Sequence, residues 1–281
     1  MITINNGILS LTVEEKGAQM RSLCDVESGR EYLWQADPEV WGRTAPILFP
    51  AVGKMHTDGY IYNGKRYDMP KHGFARDAEF TADEKREDYL ALVLSRDESI
   101  KAMYPFDFDF TAKFALDGRS LVFAYEVANK GGETMYFSLG AHPGFNISFG
   151  DKAVFGKKEY LTALYYNEAD RPNADAAPVV LDGEDSMVLT EDFFANGSLC
   201  FPPVESESMS LVDSFGREYV KMTFGKIPHL WVWAKAGAPY VCIEPWHGAD
   251  ETVPVEALAE KKGIVALDGG KTFIFEIRID V

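Results

Sequence analysis

An all-β chain, built from antiparallel sheets with few and short helices, is predicted by three features of the sequence. Short runs of aromatic and β-branched residues alternate with polar ones, as in strands with one buried face. Turn dipeptides that favour left-handed backbone, Asn63-Gly64 and Asp117-Gly118, sit between such runs. Neither strand–helix–strand alternation nor a repeat of 20 to 50 residues runs through the chain, so a sandwich is favoured over propellers, solenoids and parallel sheets.

Taken in order, Tyr60 to Tyr67 reads as a hairpin turning at Asn63-Gly64. Phe106, Phe108 and Phe110 alternate with Asp107 and Asp109, and this run continues to Asp117-Gly118 before Leu121 to Val127 returns. A glycine pair within Asn129 to Glu133 then suggests that Val122 to Tyr125 meets Met135 to Phe137, extending a meander. The acidic stretches Asp182 to Asp185 and Glu205 to Glu207 read as solvated loops. One brief helix is expected from Pro254, a residue tolerated in a first turn, through Val255 to Lys262, with Gly263 closing it. In the last run, Phe273, Phe275, Ile277 and Ile279 alternate with Ile274, Glu276, Arg278 and Asp280, as in a sheet strand with one face in the core.

At 281 residues the chain can bury a large core, and without a Pro/Ser/Gly linker it is expected to form a single domain over residues 1–281. A formal net charge of −16 argues against nucleic acid as a partner. No apolar stretch approaches the roughly 20 residues needed to span a bilayer, so no membrane partner is expected. The N-terminal residues lack a basic segment followed by an apolar one. Three cysteines, Cys24, Cys200 and Cys242, have neither metal-ligand nor redox spacing and read as free thiols in a reducing, cytoplasmic compartment. Oligomeric state stays open between monomer and homodimer.

With only five histidines, each context is informative. His72 lies in Lys71-His72-Gly73-Phe74-Ala75-Arg76, His142 in Ala141-His142-Pro143-Gly144-Phe145-Asn146, and Glu244 in Ile243-Glu244-Pro245-Trp246-His247-Gly248, each at an expected strand-to-turn transition. A following proline pushes His142 and Glu244 into extended geometry. The period of two puts Tyr240, Cys242 and Glu244 on one strand face, where a carboxylate among apolar neighbours is costly unless paired or used. Trp231, Trp233 and Trp246 offer aromatic faces to the C–H face of a pyranose, and at least one of them should line a cleft.

These three segments, in this order, resemble the aldose 1-epimerase superfamily over most of the chain. Gly17 to Leu23 and Trp41 to Gly53 are similar to that family's opening strands. Within the family, similarity is greatest to the LacX-like branch and next to the hexose-6-phosphate mutarotases. The resemblance implies a galactose mutarotase-like β-supersandwich, without cofactor or metal, that interconverts the anomers of an aldohexose or aldohexose phosphate. It implies that Glu244 is the base on the anomeric hydroxyl and His142 the acid on the ring oxygen, converging from opposite sides of one pyranose-sized hollow. His72 and Arg43 would hold hydroxyls, Trp246 would contact the sugar, and Arg76 could join Arg43 in clamping a phosphate. The family's additional acidic sugar ligand is missing where it is expected, since Phe193 to Leu199 contains no Asp.

Other readings of the same residues remain open. The fold could carry a non-catalytic carbohydrate-binding protein. His72, His142 and Glu244 could form a two-histidine, one-carboxylate metal triad, although no element carries two closely spaced histidines. Arg76 could be a structural ion pair with Asp77 or Glu79. His229 and His247 read as supporting or surface groups, and His56 as a solvated loop residue.

Overall fold

The computed structural model describes residues 1–55, 57–167, 171–249 and 257–281. Fifteen strands are hydrogen-bonded into one continuous system, and every strand-to-strand pairing is antiparallel. It is accompanied by an N-terminal three-stranded sheet, Ile2–Asn5, Leu9–Glu14 and Gln19–Asp25, and two small two-stranded ribbons.

The strand Lys152–Tyr166 joins the two parts of the large system. Its first residues pair with Ser208–Val212, whereas Leu164 to Tyr166 pair with Ser198–Phe201. One part then runs through His229–Trp233, Tyr240–His247 and the short strands Leu139–Ala141 and Ile47–Leu48, with Gly144–Asn146 also on Tyr240–His247. The other runs through Glu218–Thr223, Thr272–Asp280, Ser120–Asn129, Phe108–Asp117 and Tyr89–Leu94 to Phe80–Lys85. A large buried apolar cluster extending from Ile4 to Ile279 fills the interior, and a smaller one gathers Leu48, Val52, Tyr166, Trp231 and Trp246. Phe49 sits at the centre of the large cluster, with ring centroids 4.8 Å from Phe110 and 5.4 Å from Phe108. Each such fully buried aromatic contributes roughly 1.5–3 kcal/mol of burial free energy.

The two turn-dipeptide hairpins form as expected. Gly59–Tyr62 pairs with Lys65–Asp68 around Asn63 and Gly64, both at positive φ, and Phe108–Asp117 pairs with Ser120–Asn129 around Gly118. Alternation in Phe108–Asp117 is strict, with every second residue buried. The final strand, Thr272–Asp280, lies between Ser120–Asn129 and Glu218–Thr223.

The third hairpin does not form. Ser120–Asn129 is already paired on both edges, and Met135–Phe137 pairs instead with Val265–Leu267, with Asn129 bridging the two regions through its side chain to the Glu133 and Leu267 carbonyls. Local turn chemistry cannot register a competing strand that arrives from the far end of the chain. Asp182 to Asp185 is no loop but part of the strand Val179–Val188, whose exposed face accommodates the charges. Of the expected helix, residues 254–256 lie outside the described residues, and Leu258–Glu260 forms a short 3₁₀ turn. An α-helix does form at Glu98–Met103, where the Asp97 carboxylate caps the Ser99 and Ile100 amides.

Candidate active site

Sheet register brings His142 and Glu244 together. Gly140 lies opposite Trp246 and Gly144 opposite Cys242, so counting inward from either pair sets His142 opposite Glu244. The intervening residues, His142 and Pro143, lie between the strands Leu139–Ala141 and Gly144–Asn146, and neither Pro143 nor Pro245 has an N–H to contribute to a ladder. Glu244 is therefore in the middle of the strand Tyr240–His247 and not at its end. His142 Nε2 lies 3.2 Å from Glu244 Oε2. The two groups are neighbours on the floor of a cleft and do not face each other across it.

This cleft has a volume of about 730 Å³ and opens on the sheet face carrying Trp231, Trp233, Glu244 and Trp246. Trp231 and Trp246 stack with ring centroids 4.8 Å apart, and Trp41 stacks on the His142 imidazole at 5.2 Å. Trp233 meets the edge of His142 at 5.8 Å. All three tryptophans near Glu244 thus line the cleft, joined by Trp41. The glycines around His142 make this crowding possible. A Cβ on Gly140 would lie 2.7 Å from the Trp246 ring and one on Gly144 3.0 Å from that of Trp41.

Burial sets the electrostatics. It pushes the Glu244 carboxyl well above the ordinary carboxylate range, opposed by the nearby Lys71 charge and the Trp246 indole N–H. Burial likewise pulls the His142 imidazole down to about 3, with Arg76, Lys71 and Arg43 adding to the effect. Both shifts favour a pair that is neutral overall, with one exchangeable proton between carboxyl and imidazole.

His72 follows from a turn of unusual backbone. His72 and Gly73 both take positive φ, and a Cβ at Gly73 would collide with the Phe49 and Pro50 backbone. The Gly53 amide donates to His72 Nδ1 at 3.1 Å, which leaves Nε2 as the protonated nitrogen of the neutral ring. Burial and the adjacent His142 hold His72 well below its ordinary pKa. Its ring contacts His142 and Trp246 edge-on at 6.0 and 5.8 Å.

Arg43 and Arg76 line the same cleft. Arg43 Nη2 donates to Asp77 Oδ1 at 2.8 Å, and Arg76 Nε lies 3.6 Å from Asp77 Oδ2, so both alternatives posed for Arg76 share one side chain. Arg76 Nε is buried without a hydrogen-bond acceptor, and burial together with Arg43 lowers its pKa.

His142, Glu244, His72, Arg43, Arg76 and Trp246, all singled out from sequence, border this one cleft. Sequence reasoning missed Trp41, Lys71, Lys235 and the amides Asn167, Asn173 and Asn196, which line it too. Trp41 was legible inside the opening motif, Lys71 beside His72 and Asn196 in the stretch that lacks the Asp, but nothing local marks Lys235, Asn167 or Asn173. Residues 194–198 border the cleft without a carboxylate, as the missing Asp implies. His229 and His247 lie outside the lining, His247 packing against Phe273 and Phe275, and His56 lies outside the described residues. The three cysteines form no disulfide. Among the described residues, the side chains grouped closely enough to hold a metal are His142, Cys242 and Glu244, not the two-histidine set. No helix among them is long and apolar enough to cross a membrane.

An antiparallel β-supersandwich of this kind, with its cleft on one sheet, is the galactose mutarotase-like class of fold. A galactose mutarotase related enzyme from Lactobacillus acidophilus superposes with a TM-score of 0.91 at 28% identity, covering 99% of this chain and 96% of that one. A galactose mutarotase-like protein from Lactobacillus casei gives 0.90 at 25% identity, covering 100% and 99%. The chain belongs to the aldose 1-epimerase family, whose model matches residues 1–280. Among curated relatives, the chromosomal LacX protein of Lactococcus lactis subsp. lactis is 29% identical, with 93% of this chain and 92% of that protein aligned.

Proposed function

We propose that this protein, acting as a single domain, is an aldose 1-epimerase that opens and recloses the pyranose ring of an anionic aldohexose, a phosphorylated one in the first instance. The observation that carries this reading is the direct His142–Glu244 contact on the floor of a tryptophan-walled cleft. Ring opening requires a base at the anomeric hydroxyl and an acid at the ring oxygen. These two oxygens share the anomeric carbon, so adjacent groups on one wall can serve both.

In the productive state the shared proton is on His142. Trp41, stacked on the ring, favours the imidazolium, and Lys71 favours the carboxylate. Glu244 then accepts the proton of the anomeric hydroxyl while His142 gives its proton to the ring oxygen. The bond between anomeric carbon and ring oxygen breaks and a free aldehyde forms. Rotation about the adjacent carbon–carbon bond presents the other carbonyl face. The chain hydroxyl attacks it, His142 recovers the hydroxyl proton, and Glu244 returns its own to the carbonyl oxygen. Positioned acid–base groups contribute roughly 100- to 10,000-fold. His72 donates to a substrate hydroxyl through Nε2, and the tryptophans, Trp246 among them, pack against C–H groups.

Charge supports an anionic substrate. Among the described residues, Arg43, Lys71, Arg76 and Lys235 line the cleft with Glu244 as the one carboxylate, in a chain of net charge −16. Arginine forks suit the oxygens of a phosphate. The test is polarimetry, or dehydrogenase-coupled mutarotation, on glucose, galactose and their 6-phosphates. Faster-than-buffer equilibration, greatest for a phosphate ester, is the expected result. Binding without acceleration across all of these would instead mark a carbohydrate-binding protein. In this reading the protein acts in the cytoplasm on a small-molecule sugar or sugar phosphate, as a monomer or homodimer, with no nucleic-acid or membrane partner.

A further inference from the structure

We infer that His142, Cys242 and Glu244 form a capture site for a borderline-soft divalent cation of the zinc type, which would block the acid–base pair. Cys242 is two residues before Glu244, on the same face of the same strand, and is fully buried. Gly144 lies opposite it in the ladder and, lacking a side chain, leaves the sulfur room, an added Cβ standing 3.4 Å from Sγ. The proton transfers described above make no use of this thiol.

An imidazole nitrogen of His142, the Cys242 sulfur and a Glu244 carboxylate oxygen all lie within 4.8 Å of one another, and His142 Nε2 is 3.2 Å from Glu244 Oε2. Ligands on one tetrahedral zinc, with bonds of 2.0–2.3 Å, are separated by about 3.3–3.7 Å, so the nitrogen–oxygen edge already fits and the sulfur needs only a small side-chain movement. One nitrogen, one sulfur and one oxygen donor is a set that zinc accepts, whereas magnesium and calcium prefer oxygen alone. Three protein donors leave a fourth position, and the contact with the cleft floor gives it to water or to a sugar oxygen. A cation so held occupies the nitrogen and oxygen that must exchange protons with the substrate.

Cobalt(II) serves as the probe, because thiolate-to-cobalt charge transfer absorbs in the near-ultraviolet whether or not the protein turns over a sugar. Titration of the full-length protein should give one cobalt per chain with that absorption, and zinc should displace it. Cys242→Ala should abolish the absorption and weaken cobalt binding at least tenfold. His142→Asn, which keeps the thiol, should weaken binding by a similar factor. Absence of the band, or equal binding by the wild type and both variants, overturns the site. The inhibition itself rests on the proposed epimerase reading: zinc should suppress mutarotation and a chelator restore it. Cobalt binding through Cys242 in a protein that accelerates no mutarotation would leave the metal site standing and remove the epimerase reading alone.

Discussion

His142, in the break between the strands Leu139–Ala141 and Gly144–Asn146, stands level with Glu244 of the strand Tyr240–His247, with Trp231 opposite Glu244 on the other side. Backbone pairing on both flanks of His142 thus sets the acid, the base and an aromatic platform side by side. Glu244→Gln and His142→Asn should each reduce mutarotation by about 100- to 10,000-fold while leaving the circular dichroism spectrum native. Near-wild-type rates in both variants would refute the role assignment.

The same substitution carries a prediction for stability. Glu244 binds its proton more tightly in the folded than in the unfolded chain, so folding loses stability as pH rises above the unfolded carboxyl range. At neutral pH the buried carboxyl is a net cost, and Glu244→Gln should leave the thermal midpoint unchanged or higher. A midpoint several degrees lower at pH 7 would contradict the cause given for the shift.

pH dependence of catalysis follows from the one-proton pair. His142 titrates at about 3 and Glu244 well above its ordinary value, so the pair keeps a single proton across the interval between them. kcat should be flat from weakly acidic to neutral pH, fall on the alkaline side as the proton leaves, and fall again near the acid limit as a second one binds. A profile that collapses around pH 6.5, as for an ordinary histidine, would count against it.

Arg43 and Arg76 share Asp77 as their carboxylate partner. Arg76→Ala should raise KM for a 6-phosphate about ten- to a hundredfold, the loss of one or more charge-assisted hydrogen bonds, while KM for the neutral sugar changes little. Asp77→Asn should lower KM for the phosphate ester by freeing both guanidinium groups. Equal effects on neutral and phosphorylated sugars would show that these arginines hold structure only.

Gly144→Ala tests how far His142 depends on its aromatic support. The new methyl would stand 3.0 Å from Trp41, which stacks on the imidazole. Overpacking of this kind costs about 1–3 kcal/mol, and kcat should fall together with the thermal midpoint. A variant with both values intact would show that Trp41 can yield without disturbing the imidazole.

Much of this protein was legible in its sequence where the cause is local. Period-two alternation gave Phe108–Asp117 and Thr272–Asp280, Asn63-Gly64 and Asp117-Gly118 gave their hairpins, and short motifs singled out six residues that share the cleft. These signals depend on backbone conformation and side-chain chemistry within a few residues. Tertiary structure alone decided what long-range pairing determines. Met135–Phe137 joined Val265–Leu267 because both edges of Ser120–Asn129 were taken, and two segments a hundred residues apart met in a register that sets an imidazole against a carboxylate. The protonation of that pair was likewise beyond the sequence, because it depends on how completely the fold removes both groups from water.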